Sequence, residues 1–459
     1  MLRRPLALAL SLVLLPASAF AQDLVQTYEL ARAGDPQLSI AESNREISRE
    51  GAVQARAALL PQINGSADLS RRYVAGVDGD QRSRSVGASL DQTVFDLGRI
   101  SNLRAQRQLD TAAGFDLQAA NQTLITRTSA AYFNVLVAIE TLAAAEAAEQ
   151  ALQKQFDFAS RRLEVGLAPI TDVHEARAQY DAARAQVILS RNALEDAYQA
   201  LAEITGVPVR NLRALPEDFQ PEVPAGGDAD SWVNAALGQN PSLRAAEYAV
   251  RAAEIGITGA RAGHLPRLSL GAGYNNQAYW GDLAGVNDPG NPTGARRNEG
   301  HSVGLTLTVP IFSGGATQSG VREAIARRDI AEDQLTQTRR ALERNARNAY
   351  QTVVAGVSEV EARRLAVLSA RSAYDASQVG LEVGTRTVVD VLINQQTLFQ
   401  AEQQFALARY NFLQNRLLLE QAVGTLDIND LQEINRLLTV EADSPSTAPT
   451  APASSPQQQ

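Results

Sequence analysis

Cysteine is absent from the 459-residue sequence. This absence excludes disulfides, thiolate metal sites, cysteine nucleophiles and an acylated N-terminal cysteine. Histidine occurs only three times, without the spacing of metal ligands. Lys154 is the only lysine, and Gly314-Gly315 lacks the following Lys-Ser or Lys-Thr of a phosphate-binding loop. The sequence therefore predicts neither an enzyme nor a cofactor.

Aromatic residues are also scarce, at 5% of the chain. Alanine, glutamine, glutamate, leucine and arginine are abundant instead, a composition typical of long helices rather than of a thick globular core. Acidic residues outnumber basic ones, and the formal net charge is −9. This charge disfavours nucleic acid or an anionic lipid surface as a partner of the whole chain.

The first residues have the order of a cleavable secretory signal, predicted at 1–21. Arg3 and Arg4 precede an apolar stretch, which ends shortly before Ala19-Phe20-Ala21. The stretch has about half of the roughly 20 residues that a spanning helix needs, so cleavage is expected rather than anchoring. No later stretch is predicted to cross a membrane as a helix.

The rest of the sequence contains two copies of one unit, predicted at 22–215 and 229–440 and joined by a linker at 216–228. The matched pairs are Pro36 and Pro241, Pro61 and Pro266, Phe95 and Phe312, Tyr132 and Tyr350, Gly166 and Gly384, Asp172 and Asp390, and Gly206 and Gly424. The offset between partners is constant from Tyr132 onwards. A tail at 441–459, rich in proline, serine, threonine and glutamine, is predicted to be disordered.

Each copy is predicted to contain one very long helix followed by a second helix, at about 98–205 and about 315–423. Residues 115 to 165 contain neither glycine nor proline, and residues 321 to 379 contain only Gly356. The second helix has an apolar seven-residue repeat, typical of a coiled coil. Its positions are Val173, Tyr180, Val187, Leu194 and Leu201 in the first copy and Val391, Leu398, Phe405, Phe412 and Leu419 in the second.

A β-hairpin is predicted ahead of each helix pair, at about 62–94 and about 267–311. Apolar and polar residues alternate there, as in Ile63, Gly65, Ala67 and Leu69, and the segments have the length of tilted transmembrane strands. Four strands cannot close a barrel, and an open edge is costly in lipid, so the strands of several chains must combine. A soluble four-stranded sheet is the alternative.

The chain resembles the TolC family of outer-membrane ducts over essentially its whole mature length. The most specific stretches are Val165-Gly166-Leu167, Ile170-Thr171-Asp172-Val173, Val383-Gly384-Thr385-Arg386-Thr387 and Val389-Asp390-Val391-Leu392. The resemblance implies a mainly α homotrimer whose chains together form a twelve-stranded β-barrel in outer-membrane lipid and a helical periplasmic tunnel. It also implies a periplasmic adaptor and an inner-membrane efflux or ABC transporter as partners.

The resemblance further implies a gate at the periplasmic tip. Asp390 would line the entrance, so that three copies make an acidic ring, and crowding of like charges should raise the pKa of its members. Arg386 would link to Thr171 and Asp172 and hold the entrance closed.

Two gate positions depart from the family pattern. Leu381 stands where a tyrosine ties the closed gate, and Ile393 stands where a second aspartate follows. The resemblance therefore implies fewer polar links and a weaker acidic constriction in this chain.

Simpler roles remain open for the same residues. Asp390 follows Thr387 by three residues and Asp172 precedes Glu175 by three, so both aspartates could cap helix starts. Arg386 could be a solvated surface arginine. The alternative function is a soluble periplasmic coiled-coil adaptor or spacer.

Overall fold

The structure is a computed structural model that describes residues 23–73, 80–167, 169–223, 227–281 and 296–442. The predicted signal at 1–21 and most of the predicted tail at 441–459 lie outside the described residues. The helices are α1 (Leu24–Gly34), α2 (Pro36–Ala57), α3 (Leu97–Glu164), α4 (Ile170–Thr205), α5 (Ala229–Gln239), α6 (Pro241–Arg261), α7 (Ala316–Glu382), α8 (Val388–Val423) and α9 (Ile428–Leu437). The strands are β1 (Gln62–Tyr73), β2 (Asp80–Phe95), β3 (Arg213–Ala214), β4 (Arg267–Trp280), β5 (Arg296–Thr308) and β6 (Val440–Glu441).

The two halves have the same element order: two short helices, a hairpin, a very long helix and a shorter long helix. The very long helices α3 and α7 contain 68 and 67 residues, which corresponds to about 100 Å at 1.5 Å per residue. Helices α4 and α8 each contain 36 residues. The long helices confirm that the chain is mainly α, and the four strands that were expected to contribute to a barrel form one open sheet.

Equivalent residues cap equivalent helices in the two halves. The Asp35 carboxylate accepts from Leu38 N at 3.0 Å and starts α2, and the Asn240 amide oxygen accepts from Leu243 N at 3.2 Å and starts α6. A proline follows each cap, where its missing N–H costs nothing. The repeated Asp-Pro and Asn-Pro pairs are therefore helix starts.

The long helices pack pairwise as coiled coils, α3 along α4 and α7 along α8. Every position of the predicted seven-residue repeat is buried or half-buried, which confirms the coiled-coil prediction. The main core lies midway along the helices, where α3 and α8 meet α1, α9 and the chain at 209–219. Tyr132 and Tyr410 are the largest fully buried side chains there.

By length and composition, α3 includes a stretch apolar enough to cross a membrane, so the expectation that no helix would qualify is wrong. Core helices of soluble proteins share this property. The middle of α3 has such a core position, since Leu124, Tyr132 and Leu136 are at most 1% exposed. Packing against other helices therefore accounts for the 39% of the apolar stretch that is buried within the chain.

The main sheet has the order β1-β2-β4-β5 with every neighbouring pair antiparallel. Its register aligns the predicted apolar rows: Ile63 pairs with Leu90, Leu90 with Ala272, and Ala272 with Val303. Alternate residues of a strand share a face, so in the half of the sheet nearer the helices one face is mainly apolar and the other is polar. The apolar face is bare within the chain, since Ile63 and Val303 are 74% and 75% exposed.

Candidate functional site at the helix tips

The candidate site lies at the two turns that join the long helices, far from the sheet. The first turn follows α3 and the second follows α7. Apolar side chains project from both turns, with Val165, Leu167 and Val383 between 67% and 69% exposed. Exposed apolar residues at a helix tip favour contact with another protein surface.

A left-handed glycine ends both long helices. Gly166 has φ +75° and Gly384 has φ +80°, a conformation that costs a residue with a Cβ about 1 kcal/mol or more. The following amides return to the helix, with Leu167 N donating to Arg162 O at 2.8 Å and Thr385 N to Gly380 O at 2.8 Å. The glycines at these matched positions therefore set the turn geometry.

Asp390 forms a capping box with Thr387 at the start of α8. Its carboxylate accepts from Thr387 N and Thr387 Oγ1, both at 2.9 Å, and Asp390 N donates to Thr387 Oγ1 at 3.3 Å. These contacts lower the pKa of Asp390 below its usual value. The hydrogen bond from the Thr387 backbone contributes most, followed by the bond from the Thr387 hydroxyl, and the Arg386 charge adds to them. The simpler role as a helix cap is thus present within a single chain, with the carboxylate ionised.

Asp172 occupies the matched position at the start of α4 but is not a cap. The residue that precedes α4 is Pro169, which has no side-chain donor or acceptor, and no side-chain cap bond forms. Asp172 N donates to Pro169 O at 3.2 Å, and Asp172 lies in the first helical turn. The interpretation of Asp172 as a helix cap is therefore wrong.

Arg386 lies in the second turn, where its stem packs on Gly380. A Cβ at Gly380 would approach Arg386 Cγ to 2.6 Å, so only glycine leaves room for this arginine. Among the residues that the structure describes, no hydrogen bond or salt bridge joins the Arg386 side chain to Thr171 or Asp172. One chain alone therefore does not assemble the implied latch.

The two departures from the family pattern have different surroundings. Leu381 is 8% exposed and packs with Val388, Val391 and Leu392 at the α7–α8 seam. Ile393 is 57% exposed on the surface of α8. The side chain at 381 thus supports the chain's own coiled coil, and an apolar side chain stands at the exposed position 393.

A groove of about 380 Å³ runs between the first coiled coil and α8, above the tips. Alanines and glutamines line most of it, and Gln395 lies at its side with 1% exposure and neither amide atom bonded within the described chain. The sequence analysis did not single out this groove, because its lining comes from three helices. In the described ranges, no group of three or more histidine or acidic side chains could hold a metal ion.

Sequence reasoning also missed a buried polar cluster midway along the helices. Arg409 Nη2 contacts Glu140 Oε2 at 2.7 Å and Arg409 Nη1 donates to Pro216 O at 3.2 Å. Tyr410 OH donates to Glu140 Oε1 at 2.9 Å, and burial raises the pKa of Tyr410. The cluster fixes the segment between the halves onto α3 and α8. In the sequence, this cluster is indicated only by the adjacent polar side chains of Arg409 and Tyr410.

Known proteins match this architecture over nearly the whole chain. The family described as outer membrane efflux protein matches residues 27–207 and 232–425. Outer membrane protein TolC of Escherichia coli K12 is 35% identical over 98% of this chain and 92% of its own length. The alkaline protease secretion protein AprF of Pseudomonas aeruginosa is 30% identical over 92% of this chain and 88% of its own length.

A solved structure has the same fold. The CmeC outer membrane channel of Campylobacter jejuni superimposes with a TM-score of 0.75 at 19% identity, covering 91% of this chain and 90% of CmeC. The amphipathic sheet, the long coiled coils and these matches define an outer-membrane exit duct for efflux and secretion, with a periplasmic tunnel. The chain belongs to the outer membrane efflux protein family.

Proposed function

We propose that three copies of the chain form one closed duct, and that Asp390 makes an acidic ring at its periplasmic entrance. The observation that carries the proposal is the open four-stranded sheet. Strands β1 and β5 are its edges, and its apolar face is bare. An open edge does not persist in lipid, because each unpaired backbone group there costs several kcal/mol.

The strand directions support closure by identical chains. All four strands alternate in direction, so β5 of one chain runs antiparallel to β1 of the next. These edges have similar lengths, with 12 residues in β1 and 13 in β5. Three chains supply twelve strands, enough for a barrel with an aqueous lumen.

The tips carry the gate in this proposal. Each chain contributes one Asp390 at the start of α8, and three carboxylates around a constriction favour cations and repel anions. Arg386 reaches Thr171 and Asp172 of a neighbouring chain, which accounts for the missing contact within one chain. Leu381 and Ile393 make the closed state depend on fewer polar links.

Partners supply the energy and open the gate. The exposed apolar tips at Val165, Leu167 and Val383 fit a periplasmic adaptor, which connects the duct to an inner-membrane efflux or ABC transporter. AprF is named for protease secretion and the family for efflux, so either kind of cargo suits the duct. The soluble-adaptor alternative is set aside, because outer-membrane ducts match nearly the full chain.

Single-channel recording in planar bilayers tests the acidic ring. Asp390→Asn keeps the side-chain shape but removes the charge, so the preference for cations over anions should fall about threefold or more. Asp218→Asn, which removes an exposed carboxylate near the middle of the helices, is the matched control and should leave the preference unchanged. Equal ion preference in the wild-type protein and Asp390→Asn would remove Asp390 from the entrance.

A further inference from the structure

Four arginines gather on the apolar face of the sheet, at the end farthest from the helices. They are Arg71, Arg82, Arg84 and Arg297, called the arginine cluster below. The register places Arg71 beside Arg82, and it places Ala278 between Arg84 and Arg297. All four side chains therefore project from the same face, within two adjacent rows of residues.

The arginine cluster borders the apolar part of this face. Towards the helices, the next row places Ala67 and Val86 beside Asn276 and Glu299, and the one after it places Ala88 and Tyr274 beside His301. The third row is apolar throughout and consists of Ile63, Leu90, Ala272 and Val303. The helices are periplasmic, so the arginine cluster lies at the outer boundary of the lipid-facing belt. This is the depth of the headgroups in the outer leaflet.

Among the residues that the structure describes, two carboxylates accompany the four guanidinium groups. Arg71 and Arg82 share Asp80, whose side chain is 6% exposed, while those two arginines remain 53% and 46% exposed. Glu299 accepts from Tyr274 OH at 3.0 Å and lies 3.8 Å from Arg297 Nη2. Arg84 has no salt bridge to any residue that the structure describes. Counted over the described residues, this patch is thus positive, on a chain whose net charge is −9.

Aromatic rings accompany the arginine cluster. The Arg71 guanidinium lies over the Tyr73 ring, 4.8 Å from its centroid. Trp280 pairs with Arg82 across the strands. Tyrosine and tryptophan concentrate at membrane interfaces, because each combines an apolar ring with a polar group. Their presence supports headgroup depth for these arginines.

We propose that the arginine cluster binds the phosphate groups of an anionic glycolipid of the outer leaflet, of the lipid A class. Guanidinium groups bind phosphate with two parallel hydrogen bonds, and the apolar side chains nearer the helices, from Ile63, Leu90 and Val303 onwards, receive the acyl chains. The site rests on the proposed barrel, which turns the apolar face towards lipid. It adds a local lipid contact that the net charge of the whole chain does not suggest.

The inner boundary of the sheet also has two arginines that share one aspartate. Arg99 Nη1 donates to Ala58 O at 2.7 Å and to Thr93 Oγ1 at 2.6 Å, and its Nε lies 3.7 Å from Asp96 Oδ2. Arg267 Nε lies 3.9 Å from the same carboxylate oxygen. The Arg99 and Arg267 side chains are 48% and 59% exposed, much as Arg71 and Arg82 are. What distinguishes the outer end is Arg84, which has no carboxylate partner among the described residues.

Binding of diphosphoryl lipid A to the full-length protein in detergent tests the proposal. The double variant Arg84→Gln/Arg297→Gln removes two charges and leaves the Asp80 pairs intact, and it should weaken binding about tenfold. Arg72→Gln is the matched control, because Arg72 follows Arg71 in β1 but projects from the polar face. Dephosphorylated lipid A should bind the wild-type protein about as weakly as diphosphoryl lipid A binds the double variant.

The outcomes separate the lipid site from the barrel itself. A heat-modifiable trimer in both variants shows that assembly is intact, and its absence from the wild-type protein would instead contradict the proposed duct. Equal lipid A binding by the double variant and Arg72→Gln would overturn the lipid site. Equal binding of phosphorylated and dephosphorylated lipid A by the wild-type protein would overturn it even if the double variant failed to fold. Displacement by millimolar inorganic phosphate would show a general anion site instead of a lipid site.

Discussion

Arg191 and Arg409 occupy matched positions in the two halves but have different surroundings. The Arg191 side chain is 65% exposed and contacts Glu146 at 2.9 Å. The Arg409 side chain is 6% exposed and contacts Glu140 at 2.7 Å. The same residue at the same place in a repeat is thus a surface ion in one half and a buried ion in the other.

Chain segments outside the repeated pattern create the difference. The segment at 209–219 and the helix α9 pack into the main core, with Leu212, Leu215 and Leu431 at most 5% exposed. The Phe219 ring lies 6.2 Å from the Phe412 ring, next to the Arg409 cluster. An internal repeat therefore fixes the helix path, while the connecting segments decide which of its polar residues carry stability.

The largest predicted effect breaks the buried member of this pair. Arg409→Ala leaves Pro216 O without its donor and Glu140, which is 29% exposed, without its cation, so the free energy of unfolding should fall by about 2 to 4 kcal/mol. Arg191→Ala should cost at most about 1 kcal/mol, because its salt bridge is exposed to water. Urea titration in detergent, followed by tryptophan fluorescence, measures both. Losses of equal size would contradict the distinction between the two sites.

A second comparison concerns the matched glycines that end α4 and α8. Gly424 has φ +92°, and a Cβ there would lie 2.7 Å from Asn240 Cα and from Pro241 Cδ. Gly206 has φ +72°, but its nearest contact would be Gly34 Cα at 3.8 Å. Gly424→Ala should therefore lower the free energy of unfolding by roughly 2 to 4 kcal/mol, combining backbone strain with overpacking.

Gly206→Ala is the matched control for that substitution. It meets only the left-handed strain, so its cost should be about 1 kcal/mol. The same urea titration compares the two variants. A Gly206→Ala loss as large as that of Gly424→Ala would mean that close approach to Asn240 contributes nothing.

The sequence was sufficient for the strands and the long helices, because alternation and the seven-residue repeat are local patterns. The register then brought Ile63, Leu90, Ala272 and Val303 into one row, as the alternation required. The burial of Arg409 was not predictable in this way. It depends on Pro216, 193 residues away along the chain, and no periodicity reports such a contact.

The candidate site shows the same limit at the scale of one turn. Asp172 and Asp390 occupy matched positions, and spacing alone gave both a capping role. Only Asp390 takes part in a capping box. The residue three positions before it is Thr387, whereas the residue three positions before Asp172 is Pro169. A proline cannot form a side-chain cap bond, so Pro169 distinguishes the start of α4 from that of α8 in the sequence itself. The roles proposed for Arg386 and Thr171 between chains depend on contacts that one chain does not contain.

The smallest predicted effect sharpens this contrast between the tips. Thr387→Ala removes a hydroxyl bond to the Asp390 carboxylate and should destabilise the start of α8 by about 1 kcal/mol. Because the bonds from Thr387 lower the pKa of Asp390, the pKa of Asp390 should be higher in the variant than in the wild-type protein. Any stability that this low pKa provides is present above the unfolded-state pKa and is lost as the pH falls through the folded-state value.

Single-channel ion preference measured across acidic pH reads out the same change at the proposed entrance. As the pH falls, Thr387→Ala should lose its preference for cations at a higher pH than the wild-type protein does. Crowding of like charges in the proposed acidic ring would raise the pKa of Asp390 in both proteins alike, so the direction of the difference between them is preserved. Thr338→Ala, which removes a hydroxyl bonded to its own helix in the middle of α7, is the control and should follow the wild-type curve. Coincident curves for Thr387→Ala and Thr338→Ala would show that the capping box does not set the charge of Asp390.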